Sequence, residues 1–107
     1  MPNIMKLMKQ AASMQQKMGA LQEELAGKTV EFSSGGGMVK VVAGGDGTIQ
    51  RLTIDPSVVD PEDVEMLEDL TLAAVQGALK EAKDLAAREM SKLTSGLGLP
   101  PGMIPGL

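Results

Sequence analysis

Between Met1 and Gln22 the charged side chains are Lys6, Lys9 and Lys17, with no acid among them. On a helix at 100° per residue these ammonium groups fall within an arc of about 80°, roughly 120° from the apolar line of the same segment. Gln10, Ser13 and Gln16 share or border the arc, so hydrogen-bonding groups stand between the charges. Point charges separated by polar groups suit a row of phosphates, which they position without reading sequence. Lys80, Lys83, Arg88 and Lys92 form a second set, but they scatter round their helix and mix with Glu81, Asp84 and Glu89. Glu89 falls along the mean apolar direction, from which that end is expected to stand free in solvent. The plainer reading of both sets is a pair of ordinary solvated faces.

Other chemistries lack their parts. The 107-residue chain has no Cys and no His, which removes thiolate and imidazole nucleophiles, bases and metal ligands. Ser13 and Lys17, four apart, draw a Ser-Lys pair on one helix face, with nothing beside it to stabilise an oxyanion. Gly35-Gly36-Gly37 and Gly44-Gly45-Asp46-Gly47 resemble phosphate cradles only loosely. No Gly-Lys-Ser/Thr ending follows and both sit between strands, so they read as hairpin turns. The acids Asp55, Asp60, Glu62, Asp63, Glu65, Glu68 and Asp69 lack the spacing and glycine of a calcium loop, and read as caps and a solvated face. The nine methionines, Met5, Met8, Met14 and Met18 among them, read as adaptable packing in preference to thioether ligands for copper. The expectation is a protein that is no enzyme and needs no metal, cofactor or small-molecule substrate.

Periodicity supplies the elements that must position the lysines. Ile4, Leu7, Ala11, Met14, Met18, Leu21 and Leu25 recur three and four apart. That a/d seam predicts a helix over Ile4 to Leu25 packed along another helix, with Gly27 as its stop. Three short antiparallel strands should follow over Thr29 to Phe32, Met38 to Ala43 and Thr48 to Ile54, joined by the glycine turns. Val39 and Val41 alternate with Lys40 and Val42, and Ile49, Arg51 and Thr53 with Gln50, Leu52 and Ile54. Asp55-Pro56-Ser57 ends the sheet. Asp60-Pro61-Glu62-Asp63 predicts a helix start, with Asp60 as N-cap and Pro61 in the first helical position. Leu67, Leu70, Ala74, Ala78, Ala82 and Leu85 carry that helix to about Leu93, and Ala74, Ala78, Ala82 and Ala86 would let another backbone come close. The fold class is α+β: long N-terminal helix, three-stranded antiparallel sheet, long C-terminal helix. Residues 1–94 form one domain and 95–107 a Gly/Pro-rich flexible tail.

A second helix of about 32 residues runs roughly 48 Å, whereas a compact domain of this size has a radius of gyration near 13 Å. It must overhang the sheet, and an overhanging apolar stripe needs a second copy, so a homodimer is expected. The net charge of −4 counts against a nucleic-acid partner in bulk. Its division into +3 over residues 1–22 and −7 over residues 55–70 weakens that objection. No run of about 18 apolar residues exists to cross a membrane. The first residues, broken by Asn3, Lys6 and Lys9, do not read as a secretory signal, and a cytoplasmic location is expected.

Leu7-Met8-Lys9-Gln10-Ala11 with Met14-Gln15-Gln16-Lys17-Met18 resembles the first helix of the YbaB/EbfC nucleoid-associated proteins. Gly37-Met38-Val39-Lys40-Val41, Ile54-Asp55-Pro56-Ser57, Glu65-Met66-Leu67-Glu68-Asp69-Leu70 and Leu99-Pro100-Pro101-Gly102-Met103 are similar to the same family, in order and over essentially the whole chain. The resemblance implies a bacterial homodimer of the nucleoid whose helices project like tweezers around double-stranded DNA, with effects on nucleoid organisation and gene expression. It places Lys9 and Lys17 at recurring basic positions, and it carries no catalytic motif. Lys6 and the secondary contacts Lys80, Lys83, Arg88 and Lys92 follow from position alone, as do Gln10, Ser13, Gln16 and Arg51 as polar or base contacts. The alternative is a dimeric interaction module that docks a protein on its Met/Leu helix face, to be tested at Met14 or Leu21.

Overall fold

The computed structural model describes residues 4–97, with side chains through residue 93. A 24-residue helix, α1 (Ile4–Gly27), leads into strands β1 (Thr29–Ser34), β2 (Val39–Gly44) and β3 (Ile49–Ile54). A 34-residue helix, α2 (Val64–Leu97), completes the chain. This is the expected α+β order. The sheet is antiparallel in the order β1-β2-β3. The β1–β2 hairpin closes through Gly35, Gly36 and Gly37 at φ of 60°, 69° and 94°, a left-handed turn that side chains resist. The second glycine turn joins β2 to β3, and a bulge at Val42/Ala43 shifts the register there.

Cross-strand partners share a face, so the register assigns the sheet's two sides. Val30, Phe32 and Ser34 pair with Ala43, Val41 and Val39, which pass the face on to Leu52 and Ile54. Val39, Val41 and Ala43 are buried against Ala74, Ala78 and Ala82 of α2. Of the expected alanine stripe, Ala74, Ala78 and Ala82 pack on the sheet, while Ala86 packs with Leu21, Leu25 and Met90. Burying each valine contributes about 1.5–3 kcal/mol. Gly77 opens a further notch in α2: a Cβ there would collide with the ring of Phe32, the chain's sole aromatic residue.

Three expectations need correction. Asp60 does not cap α2. Its carboxylate accepts the Glu62 N–H at 2.9 Å within a preceding turn, while Asp63 accepts the Met66 N–H at 3.2 Å and caps a helix starting at Val64, beyond Pro61. Proline in the first turn needs only a lost N–H, but here the Asp60 and Asp63 side chains together favour the later start. The far end of α2 extends to Leu97, past the expected Leu93, and residues 98–107 of the predicted tail lie outside the described residues. The heptad seam is not covered along its length. Leu21 and Leu25 are buried with Met90, and Met14 and Met18 are half-buried, but every residue from Ile4 to Ser13 is exposed. The overhang is thus real in both helices, and the molecule measures 73 × 22 × 17 Å with a radius of gyration of 19.3 Å.

Candidate nucleic-acid interface

The C-terminal end of α1 is built into the sheet. Gly45 N–H donates to the carbonyls of Leu25 at 2.9 Å and Lys28 at 2.8 Å, and the Gln50 amide donates to the Ala26 carbonyl at 3.1 Å. Carbonyls that a helix end leaves without partners are thereby satisfied by the β2–β3 turn and the start of β3. The opposite half of α1 extends away from this root and carries Lys6 and Lys9, while Lys17 lies nearer the root.

Lys6, Lys9 and Lys17 are exposed on α1, as are Gln10, Ser13 and Gln16. Among the described residues Lys9 and Lys17 have no carboxylate within ion-pair distance. Their charges are therefore available to an external anion. Lys17 and Lys92, candidates from opposite ends of the sequence, both line the groove between the helices, together with the carboxylates of Glu24 and Glu89. Lys83 lines a separate cleft with Gln22 and Asp46. Lys80 and Arg88 are exposed on α2; Arg88, one turn before Lys92, shares its face, whereas Lys80 lies about 120° round the helix, and the seven cations do not form one surface. Arg51 is exposed on the sheet's open face, opposite Val42.

Lys28 and Glu89 are the residues that sequence reasoning missed. Lys28 Nζ lies 2.9 Å from Glu89 Oε1 and 3.1 Å from Glu24 Oε1, and Lys92 Nζ lies 3.4 Å from the same Glu89 oxygen. The Glu89 side chain is 12% exposed, so the expectation that this end of α2 stands free in solvent fails at Glu89. Its place on the apolar line of α2 was the available signal. Where the sheet runs out, that line meets the end of α1, and Lys28 supplies the opposite charge. The Lys28 hydrogen bond holds the Glu89 carboxyl below its ordinary 4.5. The same bond, with one to Glu24, raises the Lys28 ammonium above 10.5.

Three of the seven acids of the block serve turns and a cap. Asp55 accepts the Ser57 N–H at 2.9 Å, which lowers its pKa, and Asp60 and Asp63 serve the turn and cap described above. Among the described residues no helix is long and apolar enough to cross a membrane.

Comparison with known proteins supplies the identity. The model of the YbaB/EbfC DNA-binding family matches residues 1–97. A nucleoid-associated protein of Acetivibrio thermocellus is 56% identical over 101 residues, covering 94% of this chain and 89% of that one. One of Akkermansia muciniphila is 50% identical, covering 94% and 97%. The crystal structure of the uncharacterized protein HP0035 from Helicobacter pylori superimposes with a TM-score of 0.78 at 24% identity, covering 87% of this chain and 98% of that one, and so shares the fold. The chain belongs to the YbaB/EbfC DNA-binding family.

Proposed function

We propose that the protein binds duplex DNA as a homodimer, mainly through phosphate contacts and with weak sequence preference, and that it contributes to nucleoid organisation and gene regulation. The observation that carries this reading is the exposed basic face of α1, which carries no acid before Glu23. Lys6, Lys9 and Lys17 are the primary contacts, and Lys92, which lines the same interhelical groove as Lys17, is secondary. Lys80, Lys83 and Arg88 are secondary, and Gln10, Ser13 and Gln16 add polar contacts along the same arc. The nucleoid-associated names of the relatives support the cellular role.

Support for the homodimer comes from β3. Helix α2 lies over β1 and β2 and scarcely touches β3. Leu52 is left 46% exposed on the helix-facing side, and an apolar groove runs beside it between Ile54 and the α2 residues Leu67, Leu72 and Val75. β3 is also a sheet edge whose free backbone groups invite another strand. A second copy would cover both.

Titration of duplex DNA across salt concentration tests the reading. Six lysines from two copies of α1 should give a log–log slope of about −5. Lys→Ala changes at 6, 9 and 17 should flatten it, and a slope indifferent to both salt and substitution would sink the phosphate mode. The protein-docking alternative is favoured by a different observation, the exposure of Ile4, Met5, Leu7 and Met8 on α1. Leu21 is part of the core, so that alternative is better tested at the exposed end of α1, by Leu7→Ser and Met8→Ser. Loss of cellular function with DNA binding intact would favour it.

A further inference from the structure

The described links between α1 and the rest of the protein gather at its C-terminal end. Gly45 and Gln50 tie the carbonyls of Leu25 and Ala26 to the sheet, and Leu21 and Leu25 pack on Met90. Attachments to the sheet at successive residues fix where α1 begins more firmly than where it points. The sideways constraint comes from α2. Lys28, just past the last turn of α1, bonds Glu89 of α2 at 2.9 Å and Glu24 of α1 at 3.1 Å with the same ammonium group. Glu89 also draws in Lys92, at 3.4 Å, so one nearly covered carboxylate gathers a cation from each side of the helix junction.

We propose that Glu89 is a positioning residue for DNA binding: through Lys28 it holds the last turn of α1 on α2 and so sets the direction in which Lys6, Lys9 and Lys17 meet a duplex. The role rests on the phosphate-binding reading above. Its expected effect has the opposite sign to simple electrostatics. Removing a carboxylate near a DNA-binding face, and releasing Lys28 and Lys92, should tighten binding if charge alone matters. Loss of direction weakens it instead.

Glu24 provides the matched control, because it touches the same ammonium group but lies on α1 itself and is more exposed. The chain has no cysteine, so Ala12→Cys and Ala87→Cys, both at exposed sites, can carry spin labels for a pulsed EPR distance between the helices. The labelled full-length chain is diluted with unlabelled chain, and binding to a mixed-sequence duplex is followed with unlabelled variants. Glu89→Gln should broaden the distance distribution and weaken binding by about fivefold. Glu24→Gln should leave the distance narrow and the binding as tight or tighter, and Lys28→Arg should behave as the parent. Lys28→Gln repeats the distance measurement should Glu89→Gln prove unfolded in a thermal melt. A Glu89→Gln protein that matches Glu24→Gln in both readouts overturns the positioning role while the DNA reading stands. A parent chain that fails to bind duplex removes the DNA reading, and the positioning role with it.

Discussion

Gly77 and Phe32 show how one position can reverse the rule that governs its neighbours. An exposed glycine inside a helix costs roughly 1 kcal/mol relative to alanine, so Gly77→Ala would ordinarily stabilise α2. Here the added methyl group would enter the space of the Phe32 ring. Overpacking of this kind costs about 1–3 kcal/mol, enough to outweigh the propensity gain. The expected outcome is a net loss of stability in denaturant unfolding, relieved when Phe32→Leu accompanies the change. Nothing in the sequence pairs these residues, since they lie 45 positions apart in different elements. Glu89 was half legible by comparison. Its inward direction follows from helical spacing, but the identity of what it faces depends on where the sheet stops and α1 begins.

The seven-residue repeat in α1 was correctly read as a helix, but within the protomer only its C-terminal part is covered. Periodicity reports which residues share a face, whereas coverage of that face depends on how far the partner element reaches. Leu7 and Leu25 occupy the same seam, yet one is 57% exposed and the other 2%. Leu25→Ala should cost about 2–5 kcal/mol in thermal or denaturant unfolding, and Leu7→Ala no more than about 0.5 kcal/mol. Equal losses would mean that the first half of α1 is packed after all. The strands and their turns were legible to within two residues because glycine clusters and alternation both mark them. The start of α2 was not, because Asp60 and Asp63 offer the same capping chemistry three residues apart and a turn can use either. The basic arc on α1 was legible from spacing alone, while the groove that Lys17 and Lys92 both line required the two helices to be placed side by side.

At the scale of the whole molecule, the sheet is covered on two strands of three, and the uncovered strand lies beside Leu72 of α2, which is 56% exposed. Leu52→Lys combined with Leu72→Lys should leave the folded protomer intact, because neither side chain is part of its core. The pair should convert a dimer to a monomer in sedimentation, weaken DNA binding by about 100-fold through lost bivalency, and roughly halve the salt slope. A dimer that survives both charges would move the interface elsewhere. The long reach of α1 has a mechanical consequence. From Leu25 to Ile4 the helix extends about 31 Å, so it acts as a lever whose fulcrum is the Gly45–Gln50 corner. A tilt of about 10° there would sweep the tip through about 5 Å, further than the rise of about 3.4 Å between successive phosphates of one strand. Small substitutions at the fulcrum, far from any phosphate, would therefore change which phosphates the tip can reach.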